Sequence, residues 1–190
     1  MKHRSIYIVC LILSAVVPDG VVSAQPVSPE FPTSIGIGAD VSVVDAIWTG
    51  TLQARISVTV DISSQFGVRI PLTCCMDRSD PSLWFLDTGI FLDHHPWGDG
   101  PFISVALAQC GGFVGRNRPE RSLYFLNEVL LGWTWRIGAG ARIEPTLIIR
   151  DPSGGFEDEY AAIRDQLPAC NAIRFSLTVG WEFHPKLGVS

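Results

Sequence analysis

The chain has 190 residues, enough for one domain with a sizeable core. Its 14 basic and 19 acidic residues give a net charge of −5, which excludes the basic footprint of a nucleic-acid-binding protein. Lysine is confined to Lys2 and Lys186, and every other basic residue is arginine. A water-facing surface normally mixes both charge signs with abundant lysine, so this balance predicts little solvated surface and arginines held in fixed ion pairs.

Residues 1–24 read as a secretory signal. Lys2, His3 and Arg4 are its basic start, and Ile6 to Val17 is an apolar run too short to cross a membrane as a helix. Small residues at Val22 and Ala24 supply a cleavage site before Gln25. The mature domain is then 25–190, opening with a Pro-rich extended lead-in over 25–33. No later run is long and apolar enough for a transmembrane helix.

Alternating segments follow. Ser34 to Val44 sets Ile35, Ile37, Ala39, Val41 and Val43 against Ser34, Gly36, Gly38, Asp40 and Ser42. Thr51 to Ser63 sets Leu52, Ala54, Ile56, Val58, Val60 and Ile62 against Arg55, Thr59 and Asp61. Phe66 to Thr73 and Leu83 to Asp93 repeat the pattern, the second with Trp84, Leu86, Ile90 and Leu92 opposite Asp87, Gly89 and Asp93. Phe102 to Cys110 sets Ile103, Val105 and Leu107 against Ser104, Ala106 and Ala108. Leu123 to Arg136 is clean only in its second half; the first half is apolar on both faces with Asn127 among them, which predicts a bulge or register ambiguity there. Ala139 to Arg150 sets Ile143, Leu147 and Ile149 against Arg142, Glu144 and Arg150. Asn171 to His184 is strict: Ile173, Phe175, Leu177, Val179, Trp181 and Phe183 on one face, Arg174, Ser176, Thr178, Gly180 and Glu182 on the other.

Eight strands result. The connections Asp45–Gly50, Cys74–Ser82, Gly111–Ser122 and Asp151–Cys170 are mostly long, the last with a helical turn expected over Glu157 to Leu167. They alternate with the shorter Ser63–Gln65, His94–Pro101 and Ile137–Gly138. That asymmetry predicts an all-β fold, a closed eight-stranded antiparallel up-and-down barrel that crosses a membrane. A soluble lipocalin-like barrel would turn its polar face to water. Here the polar face collects Asp40, Arg55, Asp61, Arg69, Asp87, Asp93, Glu128, Arg136, Arg142, Glu144, Arg150, Arg174 and Glu182, near charge balance and without lysine. This set is expected to fill the interior as an ion-pair network, with Arg174 and Glu182 meeting Glu144 and Arg142 of the preceding strand. Trp133, Trp135, Trp181 and Phe183 at the short-turn end, and Trp84, Phe85 and Phe175 at the other, are expected to form aromatic girdles.

On these features the chain resembles the small eight-stranded outer-membrane barrels of the OmpX, OmpA-transmembrane and OmpW type, over essentially its whole mature length. The ending Gly180-Trp181-Glu182-Phe183 resembles the C-terminal assembly signal of that class. His184 to Ser190 extend beyond it where usual members stop, a departure compatible with a divergent, spirochaete-like lineage. The resemblance implies an outer-membrane location with extracellular loops, contact with outer-membrane lipid and lipopolysaccharide, and the barrel-assembly machinery as a partner. It implies a non-enzymatic role in adhesion, surface recognition of host ligands or membrane integrity. The alternative is a narrow OmpW-like channel for small hydrophobic solutes; lesser alternatives are a lipid-A-modifying barrel enzyme and a soluble lipocalin-like binder.

Chemistry-bearing residues are sparse. Cys74, Cys75, Cys110 and Cys170 lie near the long-loop rim, and export to an oxidising compartment predicts at least one disulfide among them, joining the second long loop to the third or fourth. Asp93, His94 and His95 lack a third metal ligand at useful spacing, so a polar turn is expected and neither a metal nor a cofactor. No His-x-Ser arrangement or other catalytic set stands out in the expected mature domain 25–190. Arg116, Arg118 and Arg121 form a basic loop suited to lipopolysaccharide phosphates or an acidic host ligand.

Overall fold

The computed structural model describes residues 34–41, 51–77, 80–116, 119–121, 123–168, 170 and 172–184. The expected signal sequence, the lead-in, Val43, the Asp45–Gly50 connection, Arg118 and the tail beyond His184 lie outside them. The strands are β1 (Ser34–Asp40), β2 (Thr51–Asp61), β3 (Phe66–Asp77), β4 (Leu83–His94), β5 (Gly100–Gly115), β6 (Tyr124–Leu126), β7 (Glu128–Ile137), β8 (Ala141–Arg150) and β9 (Ile173–Phe183), with a helix α1 (Glu157–Gln166) before the last.

All neighbouring strands pair antiparallel, β1 pairs with β9, and β4 pairs with β5. Because β6 and β7 succeed each other along β5 as one interrupted stave, the sheet is a closed eight-stranded antiparallel barrel. Following paired residues once around the ring returns to β1 about ten residues further along, a stagger that tilts every stave against the barrel axis. The period-two pattern becomes an inside and an outside: in β1 the burial alternates residue by residue, with Ser34 and Asp40 inward and Ile35 and Ile37 outward. Gly132 is required by this packing, since a Cβ there would stand 2.6 Å from the Phe102 ring inside the barrel. In the β7–β8 turn Gly138 takes φ +61, a conformation that favours glycine.

Three local expectations change. β3 runs on to Asp77 and β5 to Gly115, so Cys74, Cys75 and Gly111 to Gly115 are wall rather than loop. Their alternation simply continues, with Cys75 and Phe113 buried. The bulge lies in β5 rather than in the sixth stave: Ile90 faces Ala108 and Phe91 faces Ala106, leaving Leu107 as the extra residue. The sixth stave breaks at Asn127 without changing faces, since Tyr124, Leu126, Glu128 and Leu130 all point inward. The freed Asn127 carbonyl accepts the Asp151 amide at 2.8 Å and the Tyr160 hydroxyl at 2.9 Å.

Apolar side chains occupy the interior at two levels. Phe91, Phe102, Leu130 and Ile148 form a layer part-way along the barrel. At the long-loop end Cys75, Leu83, Phe85, Phe113, Tyr124 and Leu126 meet Tyr160, Ile163 and Leu167 from the α1 region. That helix is polar overall and starts without a side-chain cap. Its docking therefore rests on these three apolar side chains, the Tyr160 hydroxyl and an Arg121–Glu159 pair at 2.9 Å.

Candidate functional site

Between and below the apolar layers the interior is charged. Strand alternation delivers each acid and arginine inward, and the stagger decides which of them meet. Glu144, with no exposed surface, accepts Arg69 Nη1 at 2.9 Å and the Thr134 hydroxyl at 2.9 Å, with Arg142 Nε at 3.4 Å. Arg69 also donates to Asp93 at 2.8 Å and lies 5.0 Å from the Phe102 ring centroid. Asp93 in turn accepts the Ser104 hydroxyl, and Arg142 donates to Thr59 at 2.9 Å.

A second cluster centres on Glu128, which accepts Arg55 Nη2 at 2.6 Å and Arg150 Nε at 3.1 Å. Arg55 reaches Thr73, Arg150 reaches Gln53, and Gln109 donates to Asp87 at 3.2 Å. Arg174 pairs with Asp40 at 3.3 Å. At the short-turn mouth Arg136 binds Glu182 at 2.8 Å, Asp61 at 3.5 Å and Asp99, while Ser34 donates to both Asp61 and Glu182. All twelve of Asp40, Arg55, Asp61, Arg69, Asp87, Glu128, Arg136, Arg142, Glu144, Arg150, Arg174 and Glu182 thus face the interior or its mouth.

The expected partners of the last strand are replaced. Arg174 stands beside Ile148, and Arg142 stands beside Gly180, so the β8–β9 register carries Glu144 and Arg142 away from Arg174 and Glu182. Asp40 and Arg136 take their places. Sequence reading also missed Asp99 and Ser34 at the mouth and the apolar layer through Ile148. For Ile148 the signal was present as the inward parity of Arg142, Glu144, Thr146 and Arg150. Phe85 is a further correction: it is buried in the apolar cap, whereas Trp84, Trp133, Trp135, Trp181, Phe175 and Phe183 are exposed on the outer face.

The expected disulfide is not formed; all four cysteines are free. Geometry explains this for two of the pairings, Cys74–Cys75 and Cys74–Cys110. Cys74 and Cys75 are successive strand residues on opposite faces. Cys74 and Cys110 sit on β3 and β5 with β4 between them, roughly 9–10 Å of sheet against a bridge limit near 7 Å. Cys75 and Cys170 both belong to the buried cap, where burial pushes the Cys170 thiol above its usual pKa.

Asp93, His94 and His95 diverge. Asp93 is engaged by Arg69, His94 stacks on Phe66 at 4.8 Å, and His95 tilts against Phe102 at 5.3 Å. Burial lowers the His95 pKa, opposed by Asp93 and reinforced by Arg69. In the basic loop Arg121 is committed to Glu159 and to the Tyr124 ring at 4.9 Å, and Arg116 is exposed. The Arg121 contact holds the Glu159 carboxylate below its usual pKa. Burial raises the Tyr160 hydroxyl, keeping it a neutral donor to Asn127.

One enclosed space, among Arg55, Arg69, Leu130 and Ile148, holds about 10 Å³, on the scale of one water. A shallow basin of about 360 Å³ opens at the short-turn mouth between Asp61, His95, Trp97, Asp99, Arg136 and Glu182. No helix among the described residues is long and apolar enough to cross a membrane, which says nothing of strands. Comparison with protein-family models, with curated proteins and with solved structures returns no match.

Proposed function

We propose that this chain is an integral outer-membrane protein whose barrel is closed and filled and whose work is done by the loops at its long-loop end. The observation that carries the reading is the inverted wall. Ile37, Ile56, Leu107, Leu131, Trp133, Trp135, Phe175, Val179 and Trp181 lie exposed on the outside, while the ion pairs lie inside. A monomer in water rarely shows contiguous apolar surface beyond a few hundred Å². A bilayer solvates such a wall, and ring closure leaves no stave edge to be satisfied by lipid. The tryptophans near the short-turn end then sit at one lipid–water boundary, as in OmpX-like and OmpA-like barrels. The signal-like start supports export.

On this reading the loops are extracellular and the role is non-enzymatic: adhesion, recognition of host ligands, or membrane integrity through lipopolysaccharide contact. Assembly runs through the barrel-assembly machinery, which would recognise Trp181 to Phe183. A narrow OmpW-like passage is the weaker reading, because the apolar layer and the α1 cap occupy the path along the axis.

Electrophoresis in detergent with and without boiling tests the reading. The folded chain should migrate differently from the boiled one and should insert into lipid vesicles. Identical mobility, together with full solubility without detergent, would sink the membrane assignment.

A further inference from the structure

Leu107 does more than add a residue to β5. β5 pairs with β7 up to Val105 and with β6 from Gln109, so the ladder on that side skips Ala106 to Ala108. The wall parts there. On its outer face lies a groove of about 760 Å³, within the roughly 300–1,000 Å³ of small-molecule sites. Ile70, Ile90, Leu107 and Phe125 supply its apolar sides. Gly89 and Ala108 keep it deep. Phe156, which also packs against the apolar cap, lines it too.

The groove is continuous with the exposed apolar wall, so its occupant comes from whatever solvates that wall. Above it β5 continues from Cys110 to Gly115, and the exposed Arg116 follows, roughly 20 Å from Cys110 along the chain. An apolar groove that crosses β3 to β6 on the outer wall, with an exposed arginine further up the same β5 stave, matches an amphiphile with a long hydrocarbon chain and an anionic head.

We propose that this groove seats one acyl chain of a membrane phospholipid, with its phosphate directed toward Arg116. The proposal rests on the membrane reading above. It differs from general lipid solvation in being one slow-exchanging molecule at one place, held where the β5 bulge makes the wall concave. The bulge would then serve as a built lipid seat, and Phe156 would couple its occupancy to the cap.

The test is native mass spectrometry of the full protein refolded into phosphatidylglycerol vesicles and released in mild detergent. The wild type should retain one phospholipid. Leu107→Trp and Ile90→Trp, which fill the groove from exposed positions, should each lower retention at least fivefold. Leu131→Trp, on the wall beyond the groove, should leave it unchanged. Arg116→Ser should lower retention about threefold for phosphatidylglycerol and not for diacylglycerol; equal losses for both remove the phosphate assignment. Heat-dependent mobility is recorded for every variant, so a variant that fails to fold is recognised and the other decides. A wild-type barrel that shifts on boiling but retains no lipid, or retention equal in the groove variants and the control, overturns the seat alone. Absence of any heat shift removes the membrane reading and the seat with it.

Discussion

Glu144 shows why single residues matter in so narrow an interior. It has no exposed surface and balances two arginines, Arg69 and Arg142, from different staves. Buried ion pairs repay their desolvation only when fully partnered, and breaking one costs about 3–5 kcal/mol. Glu144→Gln should therefore lower unfolding free energy by about 3–5 kcal/mol in urea titrations followed by tryptophan fluorescence in lipid vesicles. His95 gives the pH dependence a residue of its own. Its folded pKa lies below the unfolded value, so the folded state binds fewer protons. Its contribution is complete above about pH 6.5 and declines as pH falls through the unfolded and then the folded pKa. Between pH 8 and pH 5 the wild type should lose more stability than His95→Phe; parallel losses would contradict this.

At the scale of elements, much was legible in the sequence, because in strands one parity decides everything. The existence of all eight staves follows from periodicity, and the inward facing of the charges from their near balance without lysine. Pairing partners did not, since stagger is a property of the ring: Arg174 finds Asp40 across the seam, which no local pattern reveals. Stave ends were misplaced where polar composition suggested a loop, as at Cys74 and Gly111, although alternation ran on. The bulge was sensed near Asn127 but belongs to Leu107 on the facing strand, because two partners share one irregularity. Leu107 and Ala108 are consecutive outward positions between inward Ala106 and Gln109, so deleting Leu107 restores clean alternation to β5. Its deletion should fold, whereas deletion of Val58 from β2, where no bulge exists to absorb it, should abolish the heat-dependent mobility. The α1 cap is held by few contacts. Tyr160→Phe removes one hydrogen bond of about 1 kcal/mol. Cleavage within 151–172 by an added protease should speed up roughly fivefold, with the barrel's mobility unaltered.

For the whole molecule, the arrangement of polarity is the decisive property. Apolar side chains face out and charges face in, so the same sequence would be poorly solvated in water and well solvated in a bilayer. Ile56, 54 % exposed midway along β2, reports on this. Ile56→Arg should cost about 2–4 kcal/mol in a bilayer, measured as vesicle-refolded stability; on a water-facing wall the same change would be nearly neutral. The filled interior predicts silence in planar-bilayer conductance recordings, and discrete openings would favour the channel reading.

The ring is closed by its first and last staves, with Ile37 paired to Trp181 and Gly38 to Gly180. This seam has the greatest sequence separation in the molecule, so its loop-closure entropy must be met before its hydrogen bonds repay it. The ring cannot close before β9 arrives, because until then β1 has one free edge. Maturation is therefore a late, single event rather than a vectorial one. Until the final stave locks it, the exposed β1 edge must be sheltered from other pairing.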